Sequence, residues 1–388
     1  MAPSRNLVAA MALSVSASLL IVPSTSATED QLIKASQAGD LAHVKKLLAT
    51  GADVNAHTPD GETALIAAAH GNPHAMPAPG MPPGWLVTAP PDHAYEDILR
   101  VLIRAGANVN ATITRNTPSF SVGETALMLA ESNGIPAMVR ALIEAGADVN
   151  AKTKDSHTAL LGAALGDRFE MASLLIAAKA NVNARDSFSR TAVTWASFNN
   201  NTKMVQALLG AGADPNIKSS ESGETPLFDA AGHGNLEMVK LLIAAKVNVN
   251  ITARDGQTAL IAAASYRKQD KEQALSDVVK TLIAAGADVN AKMTTGASAL
   301  FTASLLCHPE TIHALIAAGA KINDKLASGA TALIAASGAG CLEGARELLI
   351  ARADASAKMN SGVTASDIAL RNGHTEVVKL LRQGVRSE

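Results

Sequence analysis

The fold class this sequence predicts is an all-α solenoid of about ten helix-turn-helix units stacked side by side. Two observations carry that reading. The phrase Leu282-Ile283-Ala284-Ala285-Gly286-Ala287-Asp288-Val289-Asn290-Ala291 returns in variant form along almost the whole chain. Its glycine slot falls at Gly51, Gly106, Gly146, Lys179, Gly212, Lys246, Gly286, Gly319 and Arg352, spaced by 55, 40, 33, 33, 34, 40, 33 and 33 residues. A period near 33 is the signature of stacked repeats, in which each unit contacts only its neighbours and the core grows lengthwise. Composition agrees: 48% of the chain is hydrophobic but only 3% aromatic, so alanine and leucine supply the packing that short, close helices need.

A second phrase precedes the first by 23 residues where nothing is inserted, as in Gly223-Glu224-Thr225-Pro226-Leu227 and Gly123-Glu124-Thr125-Ala126-Leu127, and it recurs as Gly256-Gln257-Thr258-Ala259-Leu260. Together the two phrases resemble the ankyrin repeat, which runs G-x-T-P-L-H-x-A-A, a short turn, then a leucine-rich helix ending in G-A-D-V-N. The resemblance covers residues 28–388, with units starting near 28, 61, 123, 156, 189, 223, 256, 296, 329 and 362. It implies paired helices joined by β-hairpin-like fingers, and a concave face that holds a protein partner.

Taken in order, residues 1–27 stand apart from the repeats. Arg5 precedes an uncharged apolar run from Leu7 to Val22, and Ser24-Thr25-Ser26-Ala27 offers small residues for cleavage. That is the layout of a signal peptide, and the run of about 16 residues is short for a membrane span, which needs about 20. The expectation is an exported, bacterial periplasmic protein with no membrane insertion after the leader is removed. In unit one, Asp30 is the expected N-cap. Unit two is interrupted at 71–93 by a loop containing Pro73, Pro77, Pro79, Pro82, Pro83, Pro90 and Pro91, a density that forbids helix. Residues 112–122 lengthen the next finger, and Thr125, Thr158, Thr191 and Thr225 are expected to cap the first helices of their units. The insertion at 267–273, charged and helix-friendly, reads as a solvated helix extension.

Two departures from the family pattern stand out. The histidine after T-P-L is replaced by Ile66, Met128, Leu161, Phe228, Ile261, Phe301 and Ile334. Without that polar ladder, hydrophobic contact is expected to carry more of the stacking. At the end of the second helix, glycine gives way to Lys179, Lys246 and Arg352, where a left-handed residue other than glycine costs about 1 kcal/mol.

Chemistry-bearing patterns are thin. There is no G-x-S-x-G, no P-loop and no H-E-x-x-H, so no enzyme activity and no cofactor are expected. The net charge of −2, without a sustained basic run, argues against nucleic acid as a partner. His70, His74, Met76, Met81 and His93 cluster in and beside the unit-two loop, a donor set soft enough for copper. Their spacing matches no closed site, and unrelated loop residues remain the ordinary reading. Cys307 and Cys341, in the inter-helix turns of adjacent units, fit either a disulfide formed after export or two unpaired thiols.

The binding expectation rests on apolar residues at slots facing the groove: Leu165, Phe198, Tyr266, Leu305 and Leu306, with Phe120 and Phe188 in fingers and Trp85 in the unit-two loop. Aromatic anchors dominate interface energetics, and this chain has few to spare. Trp195 is expected in the core. The function so predicted is that of a monomeric scaffold or accessory factor for another protein outside the cytoplasm. The alternatives are an inhibitor or immunity protein of an exported toxin or hydrolase, which the near-neutral charge disfavours, and copper handling through the unit-two loop.

Overall fold

The computed structural model describes residues 27–71, 92–265 and 272–383. The leader segment up to residue 26, the loop residues His74, Met76, Met81 and Trp85, and Tyr266 lie outside them. Among the described residues twenty helices run in alternation, α1 (Ala27–Gln37) to α20 (Thr375–Gln383). The odd-numbered helices stack on one another as one row and the even-numbered helices as a second row, each odd helix also packing on the even helix that follows it. No described helix is long and apolar enough to cross a membrane.

Most first helices are only seven residues long, for example α7 (Ala159–Leu165) and α9 (Ala192–Phe198). Helices that short are not stable alone in water, so neighbours and caps must hold them. Thr63, Thr125, Thr158, Thr258 and Thr331 each accept the N–H three residues on at 3.3 Å. Thr191 forms a capping box with Thr194, whose hydroxyl accepts the Thr191 N–H at 3.4 Å. One expected threonine cap differs: Thr225 makes no side-chain cap bond, and Pro226 fixes the first turn of α11 (Pro226–Gly232) instead. Asp30 is no cap either: it lies inside α1 and pairs with Lys34 at 2.6 Å.

Fingers close as tight hairpins with no strand among the described residues, as where the Asp186 N–H meets the Arg190 carbonyl at 3.0 Å and the Ala253 N–H meets the Gln257 carbonyl at 2.9 Å. Second helices end in a left-handed residue. Lys179, Lys246 and Arg352 adopt φ of 66°, 60° and 65° there, so those three junctions keep the glycine geometry and bear its cost. Of the charged insertion, residues 267–271 lie outside the described residues, while Glu272 and Gln273 open α14 (Glu272–Ala284), at thirteen residues longer than nine-residue second helices such as α12 (Leu236–Ala244).

Stacking has a polar component as well. The asparagine of each G-A-D-V-N phrase bridges to the next unit: Oδ1 of Asn55, Asn110, Asn150, Asn183, Asn216, Asn250, Asn290 and Asn323 accepts a backbone N–H at 2.7–2.8 Å. Six of them also donate through Nδ2 to the carbonyl in the next glycine slot, as Asn250 does to Gly286 at 2.9 Å. This ladder adds polar contacts between units beside the hydrophobic stacking expected where the histidines are absent. It satisfies finger backbone groups just past the second helices, which no helical bond reaches.

Close approach of the first helices shows at the sixth position after each cap. Ala69, Ala164, Ser197, Ala231, Ala264, Ser304 and Ser337 fill it, all buried under the next helix. Glu131 is the exception, and its carboxylate reaches Arg168 at 3.0 Å. A Cβ on Gly162 would come within 2.5 Å of Glu131 Oε2, so glycine there makes room for the pair. Burial outweighs Arg168 and pushes the Glu131 pKa up to about 7. In the last unit the same position holds Leu370, which is exposed, with no described first helix over it.

Candidate protein-interaction site

The expected anchors divide sharply. Leu165, Phe188, Phe198 and Leu305 are exposed, Phe198 at 59%. Phe120 is not: it is buried against the His70 ring, with centroids 4.7 Å apart, and so cannot meet a partner. The long finger folds back onto α3 (Ala64–His70), which supplies the surface that covers it. Leu306 is half-buried, and Leu305 lies in unit eight, away from the others.

Units four to six bring the rest together. Leu165 and Phe198 end α7 and α9, and Asn199 Nδ2 ties the two helix ends by donating to the Leu165 carbonyl at 2.9 Å. Trp195, one turn earlier on α9, is half-buried rather than core and meets Phe198 edge to face at 6.0 Å. The Arg190 guanidinium lies 4.7 Å from the Trp195 ring centre and 5.4 Å from that of Phe188, linking the finger to the helix through cation–π contacts. Arg190 also pairs with Glu221 of the next finger at 2.8 Å, and Trp195 Nε1 donates to Asp186 at 3.2 Å. The aromatic ledge is therefore fixed from both sides.

Beside this ledge opens a depression of about 380 Å³, lined by Arg190, Trp195, Phe198, Ser222, Glu224 and Asp229 among others. A second, of about 340 Å³, shares Glu224 and Asp229 and continues to His233 and Gln257. Ser222 donates its hydroxyl to Glu224 at 2.8 Å. Asp229, on α11, faces both spaces. Burial and then the nearby Glu224 charge push its pKa up to about 7, against the pull of Arg190. The sequence reading missed Glu224, Asp229 and Arg190. A signal existed for Asp229: four residues after each cap stand Ala67, Leu129, Gly162, Trp195, Asp229, Ala262, Thr302, Ala335 and Ile368, and only units five and six put an aromatic or a charge there.

The other candidate groups stand apart from this face. His70 is engaged with Phe120, and burial lowers its pKa, while His93 is exposed on α4 (Asp92–Arg104). No group of three His, Cys, Asp or Glu placed to hold a metal lies among the described residues. Cys307 and Cys341 are joined as a disulfide with Cα atoms 5.1 Å apart, linking the end of α15 (Ala299–Leu306) to the start of α18 (Leu342–Ile350). Stacked inter-helix turns approach more closely than helix axes do, which is how the pair spans adjacent units.

Helix-pair stacks bound by fingers, with an apolar ledge on one face, define a class of repeat proteins whose modules mediate protein–protein interaction. A family model described as ankyrin repeats in three copies matches residues 92–186, 151–219, 193–293, 270–359 and 300–387, and the chain belongs to the ankyrin repeat family. No curated protein matches it.

Proposed function

We propose that this chain is a non-catalytic interaction scaffold or accessory factor that works outside the cytoplasm and holds a protein partner on the face formed by the first helices and fingers of units four to seven. One observation carries the reading: Phe188, Trp195 and Phe198, three of the few aromatic residues in the chain, converge with Leu165 on one exposed ledge. Exposed apolar residues are ordinary singly, but a pre-ordered cluster of aromatics is the usual form of an interface hot spot. Export is supported by the leader-like first 27 residues and by a disulfide, a bond that persists in oxidising compartments.

The test is site-specific crosslinking in the native host. A photoreactive residue at Phe198 should trap a discrete protein, while the same residue at the exposed Ile350 of α18 should not. Equal trapping at both positions, or at neither, would overturn the assigned face. N-terminal sequencing of the mature chain tests export separately, with a start near residue 27 or 28 expected and an intact Met1 refuting it.

A further inference from the structure

Resting on the reading that this face binds a protein, we infer that the depression beside the aromatic ledge takes a lysine or arginine side chain from an extended segment of the partner, whose neighbouring apolar residue lies on Phe198 and Leu165. The charges at the site argue for a cation. Arg190 is already held by Glu221 and stacked between two rings, so it offers little to an incoming anion. Asp229, by contrast, is half-buried, and neither a side-chain hydrogen bond nor an ion pair reaches its carboxylate among the described residues. Glu224 stands close enough to raise the Asp229 pKa, a repulsion that a cation between them would relieve.

The walls select which cation. Rings of Trp195 and Phe198 present π faces and edges that favour an alkylammonium or guanidinium carried on an apolar stem. An inorganic divalent ion prefers several oxygen ligands, and here Ser219, Ser222 and the Glu224 carboxylate are already engaged with one another, which leaves Asp229 as the one open oxygen donor among them. A depression of about 380 Å³ is ample for one long side chain.

The experiment uses fluorescein-labelled peptides alternating leucine, lysine and serine, with counterparts carrying glutamine or glutamate in place of lysine, titrated against the mature chain by fluorescence anisotropy. The lysine peptide should bind, the glutamine peptide more weakly by roughly tenfold, as expected for loss of a charge-assisted contact, and the glutamate peptide weakest of the three. Asp229→Asn should weaken the lysine peptide by about five- to tenfold. Glu237→Gln, the same charge change on an exposed residue of α12 (Leu236–Ala244), should alter it less than about twofold. Should Asp229→Asn disturb the fold by circular dichroism, Glu224→Gln reads the same contact. The inference is overturned if Asp229→Asn behaves like Glu237→Gln, if the glutamate peptide binds best, or if calcium chloride at millimolar concentration displaces the lysine peptide. Phe198→Ala separates the two readings. If it weakens all peptides while Asp229→Asn does not, only the cation inference fails, and if neither variant matters the interaction face itself is wrong.

Discussion

Breaking the bond between Cys307 and Cys341 should loosen the stack locally, and the structure sets the size of the effect. The two sulfurs close a loop of 34 residues that contains α16 (Pro309–Ala317) and α17 (Ala332–Gly338). By the chain-entropy relation, that restriction of the unfolded segment is worth about 3.8 kcal/mol at 25 °C. Cys307 also sits at φ 58°, in the inter-helix position where Gly134, Gly234, Gly340 and Gly373 are likewise left-handed. A side chain there costs about 1 kcal/mol relative to glycine. Both Cys307→Ala and Cys307→Gly lose the bridge, but the glycine variant escapes the backbone cost and should be the more stable by about 1 kcal/mol. Because long repeat arrays need not unfold in one step, the assay is hydrogen exchange read by mass spectrometry rather than a global melt. Amides of α16 and α17 that exchange through local unfolding should speed up on the order of 500-fold when the bridge is reduced. Those of α5 (Ala126–Ser132) and α6 (Pro136–Glu144), far along the stack, should not change. Unchanged exchange in α16 and α17 on reduction would refute the staple, and Cys307→Ala equalling Cys307→Gly would refute the backbone argument.

Three further outcomes are expected. Asn250→Ala removes two bonds between units, to the Asp288 N–H and the Gly286 carbonyl, and should cost about 1–2 kcal/mol in a urea titration, with no loss indicating that water replaces the ladder freely. Lys246→Gly, at φ 60°, should stabilise by about 1 kcal/mol, and a destabilised variant would mean that the lysine stem packs where the backbone argument ignores it. Glu131, with its pKa raised to about 7 by burial, contributes stability that is fully present below its unfolded value of 4.5 and is lost as pH rises through about 7, by up to about 3 kcal/mol. The decline in stability from pH 5 to pH 8 should therefore flatten in Glu131→Gln, and parallel profiles would remove this residue as its source.

The elements were legible because their determinants are local. Thr125 caps α5, Gly146 turns left-handed after α6, and proline opens α11; each acts within a few residues of itself, and the period then repeats the lesson. The candidate site was legible only in part. Phe198 and Leu165 could be read from their slots, since a residue ending a first helix projects beyond the layer that the next unit covers. Phe120 could not, because its burial depends on His70, fifty residues earlier, and on which way a long finger bends. Arg190 and Glu224 each stand one residue before a cap and Asp229 four after one, so the period places them in adjacent units, but that they share one depression depends on how their side chains lean.

By itself, then, the sequence determined the kind of protein this is: a repeat of about 33 residues whose caps, turns and alanine-rich seams permit little other than a stack of helix pairs. Tertiary structure decided what differs between units. Asparagines of the repeated phrase became a ladder only once the fingers lay side by side. Two cysteines 34 residues apart became a staple only because inter-helix turns approach more closely than helix axes do. An aromatic ledge beside the half-buried Asp229 carboxylate emerged only when three successive units were superposed. Local rules are written within a few residues, whereas a surface is a sum over neighbours that the chain does not keep adjacent.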